Sequence, residues 1–133
     1  MPVDPSRLRS CALFEGITDD DLKVVAGKME MRSVLPDEHL TREGASGYFF
    51  FVIFNGTADV SRDGVTLATL GPGDFFGETA VLETTRRTAT VTANSEMTVG
   101  ALFGADFAKL EHDSPELHAR IQQVMNQRRA AGA

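Results

Sequence analysis

The sequence predicts an α+β domain in which a small antiparallel β-barrel or jelly roll is flanked by helices at both ends. Three observations carry this expectation. From Glu30 to Phe103, short runs of Val, Phe, Leu and Thr are punctuated by Gly, Pro, Asn and Asp at roughly eight- to twelve-residue spacing, the texture of an all-β roll. Before and after that region the apolar residues recur at mostly helical spacing. A length of 133 residues with 42% hydrophobic content suffices for one core and leaves no room for a second domain. The expected division is N-terminal helices over 1–29, the roll over 30–103 and C-terminal helices over 104–129.

Taken in order, "SRLRSCALFEG" reads as a helix ending at Gly16, and "TDDDLKVVAGKM" as a second. The second opens on Thr18, a good N-cap, followed by three aspartates that suit the positive end of a helix dipole. Strands are expected at "MEMRSVL", "HLTRE", "YFFFVIF", "TADVSR", "VTLATL", "TATVTAN" and "EMTVGALF". Asn55-Gly56 and Asp63-Gly64 are expected as hairpin turns, because such pairs accept the positive φ that tight turns need. In "TADVSR" and "VTLATL" apolar residues alternate with polar ones, which predicts one buried and one wet face. The phenylalanines of "YFFFVIF" are expected in the core. After Phe103 the period returns to that of a helix, with Phe107, Leu110, Leu117, Ile121, Val124 and Met125 as the apolar stripe and Pro115 in a first-turn position after Ser114.

Composition narrows the function. A formal net charge of −6 disfavours DNA or RNA, whose partners carry a basic patch or stripe. The longest apolar run, Tyr48 to Phe54, is far below the roughly 20 residues that span a bilayer, and the N-terminus lacks an apolar signal core, so a cytoplasmic protein without membrane insertion is expected. Cys11 is the sole cysteine, which excludes an internal disulfide and fits a buried packing residue. His39, His112 and His118 stand at no recognised metal-ligand interval. "GPGDFFGE" is not followed by the Lys-Ser or Lys-Thr of a nucleotide-hydrolysing loop, and no segment presents an activated nucleophile with a base. The expectation is therefore a binding module with no catalytic residue, metal or cofactor.

The stretch "GDFFGETAVLETTRRTAT", Gly73 to Thr90, is where a ligand should sit. It sets two phenylalanines between glycines, a carboxylate directly after Gly77, and two adjacent arginines before small residues. Glycine lets a backbone approach closely, a carboxylate accepts hydrogen bonds from hydroxyls, and a guanidinium offers a fork to an anion. "GETAVLE" is expected to form one helical turn whose N–H groups favour an anion. A ligand carrying both hydroxyl and phosphate follows. Taken alone, Arg87 reads as a surface arginine paired with an acid, and Glu78 as a helix-start carboxylate interacting with the dipole.

"FGETAVLETTRRTATV" resembles the phosphate-binding cassette of the cyclic nucleotide-binding domain family. The likeness extends to "CALFEGITDDDLKVVA", "REGASGYFFFVIFNGTADV", "LGPGDFFGE" and "SPELHARIQQVMNQRR", and so covers nearly the full chain. It implies a β-roll of the jelly-roll (double-stranded β-helix) kind, a cassette over 77–90, and a C-terminal lid helix. In look it is nearest to the soluble C-terminal domain of bacterial cyclic nucleotide-regulated potassium channels. The implied ligand is cAMP, with cGMP also admitted.

Carried over residue by residue, the resemblance assigns Glu78 to the ribose 2′-hydroxyl and Arg87, ten positions after Gly77, to the cyclic phosphate. Gly77 would let the backbone approach, and the N–H groups of Thr79, Ala80, Thr88 and Ala89 would complete the cradle. Thr88 stands where some members contact a guanine amino group. Val60, Val65 and Leu67 are candidates for an apolar wall beside the base, and Arg128 falls where a lid arginine stacks on it, with a solvated helix end as the equal alternative. Thr84 and Arg86 depart from the Gly and Pro that family cassettes often place there. That departure admits an alternative, a ligand-free roll serving as a protein-interaction module. The implied partner is an effector domain or protein, since no helix-turn-helix, kinase or pore segment stands in this sequence.

Overall fold

A computed structural model describes residues 3–9, 11–14, 16–41, 49–76 and 89–130, without the side chains at 12, 107, 111, 121 and 124–130. The N-terminal helical piece comprises α1 (Pro5–Leu8), a 3-10 turn (Ala12–Phe14) and α2 (Asp19–Lys28). The expected first helix is thus two short pieces, and the reason lies in its side chains: Leu8, Cys11, Leu13 and Phe14 are all buried, more than one face of a single helix could offer to one core. Asp4 caps α1 by accepting from the Ser6 N–H at 2.9 Å. Thr18 caps α2 as expected, its hydroxyl oxygen accepting from the Asp21 N–H at 3.2 Å.

Among the described residues eight strands follow: β1 (Met29–Val34), β2 (His39–Thr41), β3 (Phe49–Asn55), β4 (Ala58–Arg62), β5 (Val65–Leu70), β6 (Phe75–Phe76), β7 (Thr90–Ala93) and β8 (Met97–Phe103). They form two antiparallel sheets, ordered β1-β8-β3-β6 and β2-β7-β4-β5. Helices α3 (Gly104–Asp113) and α4 (Pro115–Ala130) close the chain, with Pro115 at the first position of α4.

The first sheet is covered on both faces, which accounts for the unbroken apolar run in β3. Phe50, Val52 and Phe54 join Met29 and Leu102 against the helices, with Leu8, Phe14, Leu22, Val25, Leu110 and Leu117. Phe51 and Ile53 point the other way, into the roll, with Val99, Ala101, Met97 and Val34. The second sheet closes the roll with Ala58, Val91 and Ala93. Each large apolar side chain so buried contributes roughly 1.5–3 kcal/mol. The outer face of the second sheet is polar: Thr69 Oγ1 and Asn94 Nδ2 donate to Asp59 Oδ1 at 2.8 and 2.9 Å, and His39 Nδ1 lies 2.8 Å from Thr92 Oγ1.

Two expectations about the strands are corrected. Asp63-Gly64 does form the hairpin between β4 and β5, with φ of 53° and 79°, the primed turn that two-residue loops favour. Asn55-Gly56 does not form one. β3 pairs with β6 and β8 whereas β4 pairs with β5 and β7, so this turn carries the chain from one sheet to the other. The alternation in "VTLATL" also fails to bury a face, since Val65 and Leu67 are 61% and 54% exposed. β5 is the outermost strand of its sheet, and its register against β4 slips beside Val60, leaving Leu67 without a partner position.

Candidate functional site

The described residues on either side of 77–88 belong to different sheets, β6 to the first and β7 to the second. On the near side, Gly71-Pro72-Gly73-Asp74 forms a turn with the Asp74 N–H donating to the Gly71 carbonyl at 3.0 Å. Proline in the second position and glycine with φ of 90° in the third are the requirements of a type II turn. The Asp74 carboxylate reinforces it by accepting from the Gly71 N–H at 2.8 Å. This turn takes the chain off β5, on the second sheet, and delivers it to β6, on the first. There the Asp74 carbonyl accepts from the Ile53 N–H at 2.9 Å, and the Gly73 N–H donates to the Ile53 carbonyl at 2.9 Å. Phe76 is buried and stacks on Phe51, ring centroids 5.0 Å apart and planes 22° from parallel. Strand β6 escaped the sequence reading because two residues carry no periodicity.

On the far side, Ala89 leads into β7, where Thr90 pairs with Ser61 and Val91 with Val60 of β4. The Ala89 carbonyl accepts a hydrogen bond from Thr41 Oγ1 at 3.1 Å. Thr41 is one of two buried polar residues among those described, 7% exposed. Simple alternation would place it beside His39 on the wet outer face. The register between β2 and β7 instead shifts at Leu40: His39 opposes Thr92 but Thr41 opposes Val91, so Thr41 turns to the inner face. No local signal in "HLT" announces that shift, and for this reason the sequence reading passed over Thr41.

Of the residues singled out from the sequence, Gly77, Glu78, Thr79, Ala80, Arg87 and Thr88 lie outside the described residues, as does the helical turn expected in "GETAVLE". Arg128 belongs to α4, and its side chain is outside the described set. Ala89, Val60 and Leu67 are described, and the sheet register makes them near neighbours on the second sheet: Val60 pairs with Ala68, the neighbour of Leu67, and with Val91, two residues from Ala89. Val60 packs half-buried against the roll core, while Leu67 is 54% exposed. Ala89, directly before β7, is the first described residue after 77–88.

Burial pushes the Cys11 thiol above its ordinary range, with Asp74 adding to the effect and a backbone hydrogen bond at Leu13 opposing it. Among the described residues no group of three or more His, Cys, Asp or Glu is placed to hold a metal ion, and no helix is long and apolar enough to cross a membrane.

The family model described as the cyclic nucleotide-binding domain matches residues 31–113, from β1 to the end of α3. The chain belongs to the cyclic nucleotide-binding domain family. Relatives of this family domain include a cAMP-dependent protein kinase regulatory subunit from Eremothecium gossypii, 35% identical over 104 residues, covering 77% of this chain and 23% of that protein. A cyclic nucleotide-gated potassium channel from Mesorhizobium japonicum is 31% identical over 121 residues, covering 91% of this chain and 34% of the channel. The regulatory domain of Toxoplasma gondii PKA, solved as a co-crystal with cAMP, superposes with a TM-score of 0.84 at 20% identity, over 96% of this chain and 48% of that one. At that identity the likeness speaks for the shared fold: a cyclic nucleotide-binding β-roll with flanking helices. The chain spans about a quarter of the length of the kinase subunit and a third of that of the channel.

Proposed function

We propose that this domain binds a 3′,5′-cyclic nucleotide, cAMP and also cGMP, in the segment 77–90, and converts binding into a movement of α4. The observation that carries the reading is the family match over 31–113 together with the order of glycine, carboxylate and arginine from Gly77 to Arg87 in the sequence. In this reading Arg87 grips the cyclic phosphate with its planar fork, Glu78 accepts from the ribose 2′-hydroxyl, and Gly77 lets the backbone N–H groups of Thr79, Ala80, Thr88 and Ala89 close in. Val60 and Leu67 form an apolar wall for the base, and burial of Leu67 by that base would remove an otherwise costly exposure. Arg128 would close the site from α4.

A grip of this kind stabilises a ground state and presents no nucleophile, so the role is regulation without catalysis. Binding energy becomes a shift between an open and a closed arrangement of the last helix, read by an effector domain or protein in the cytoplasm. A channel or a kinase is the kind of effector that the relatives suggest.

Calorimetric titration with cAMP and cGMP tests the proposal, with Arg87→Ala as the control. Binding at about micromolar or tighter, weakened by Arg87→Ala by on the order of 2 to 5 kcal/mol, is the expected result. No heat and no thermal stabilisation at high nucleotide would overturn it and leave a roll that works through protein contacts.

A further inference from the structure

We infer that Thr41 is a positioning residue for the nucleotide site, its hydroxyl setting where the backbone leaves the phosphate-binding segment. The inference rests on the proposed role of Arg87, but its own grounds are separate. Thr41 Oγ1 donates to the Ala89 carbonyl at 3.1 Å, and Ala89 lies two residues beyond Arg87. A carbonyl held by a buried hydroxyl cannot rotate without leaving that donor unsatisfied, which ties the peptide after Ala89 to the inner face of β2.

The burial of a polar side chain here is built rather than incidental. A strand that alternated regularly from His39 would carry Thr41 outward to water, where the hydroxyl would need no partner. The register shift at Leu40 turns it inward instead, opposite Val91 and beside Ala89. An apolar residue would satisfy that inward position for packing alone. The hydroxyl adds a bond that reaches across from β2 to the residue before β7, and it does so at one end of the segment whose other end is held by the Phe76–Phe51 stack. With the Ala89 carbonyl held by Thr41, the entry to β7 is set before the anion arrives, and affinity rises by the ordering that this spares.

The test compares Thr41→Val, which keeps the shape and removes the hydroxyl, with Thr41→Ser, which restores it. We expect Thr41→Val to weaken cAMP binding about tenfold, the effect of one buried hydrogen bond, and Thr41→Ser to bind within about twofold of the unmodified chain. In the ligand-free chain, the carbonyl carbon resonance of Ala89 should move in Thr41→Val and return in Thr41→Ser, and amide exchange at Ala89 and Thr90 should quicken only in the former. Should Thr41→Val fail to fold, Thr41→Ala takes its place in the same comparison. Equal affinity and an unmoved Ala89 resonance in the hydroxyl-free variant would overturn the inference, as would a lower melting temperature with affinity retained. If the unmodified chain binds neither cAMP nor cGMP, the ligand reading falls, and the Ala89 resonance and exchange still decide whether Thr41 positions this backbone.

Discussion

The Ser114 hydroxyl donates to the Asp21 carboxylate at 3.2 Å, joining the junction of the two C-terminal helices to the first turn of α2 across 93 residues of sequence. Ser114 is 2% exposed, and its backbone is equally engaged, the N–H donating to the Leu110 carbonyl at 2.7 Å and the carbonyl accepting from the His118 N–H at 3.2 Å. Leu110 and Leu117, fully buried on either side, seat the same junction in the core shared with α2. The start of α4 is therefore held to the N-terminal helices. Ser114→Ala should destabilise the fold by about 1–3 kcal/mol, because it leaves a carboxylate without its donor. The Lys28–Asp113 pair beside it, at 3.5 Å and partly exposed, should contribute less than about 1 kcal/mol. Urea unfolding of the two single variants, Ser114→Ala and Asp113→Ala, ranks them directly.

Gly56 turns the chain from the first sheet to the second with φ of 87°, and a Cβ there would lie 2.5 Å from the Glu96 carbonyl oxygen and 2.8 Å from Met97 Cγ. Both the backbone conformation and the space exclude a side chain. Gly56→Ala should cost more than about 1 kcal/mol, the penalty where φ is positive, with the clash added to it. Gly64→Ala, also at positive φ but with nothing within 4 Å, isolates the conformational part. Thermal melts in which the two variants lose equally would contradict the contribution of Glu96 and Met97.

Hydrogen bonds from Asn94 and then Thr69 hold the Asp59 carboxyl below the usual carboxylate range. A folded-state pKa below the unfolded one contributes stability that is complete above the unfolded value, about 3.9, and is lost as pH falls through the folded value. The carboxyl carbon of Asp59 should accordingly titrate below that of an unstructured aspartate. Asn94→Ala should move its midpoint upward. NMR titration of the two chains between pH 2 and 6, a range bracketing the ordinary value of about 3.9, reads both midpoints, and coincident curves would remove Asn94 as the principal cause.

Burial at 1% exposure keeps the Cys11 thiol protonated and out of reach. Its reaction with an aromatic disulfide reagent at pH 8, near the ordinary thiol value of about 8.5, should proceed only as fast as the helical piece opens. In denaturant the same thiol should react at the rate of a free cysteine. Fast labelling of the native chain would show that α1 and the 3-10 turn open readily from the core.

Features that depend on neighbours in sequence were legible without a structure. Thr18 caps α2 because its own side chain meets an N–H three residues on, Asp63-Gly64 closes β4 onto β5 because its own φ angles permit the turn, and Pro115 starts α4 because its φ is preset. The family of the chain was legible too, since the order of glycine, carboxylate and arginine from Gly77 to Arg87 is carried by the chain itself. Pairing across the roll was not. Asn55-Gly56 has the composition of a hairpin yet joins two sheets, because β3 pairs with β6 and β8 while β4 pairs with β5 and β7. The alternation of β5 fits a buried face yet stays exposed, because that strand lies at an edge. Thr41 faces inward to Ala89 only because one residue of register is lost against β7, and strand register is a property of two strands together, which neither segment encodes alone.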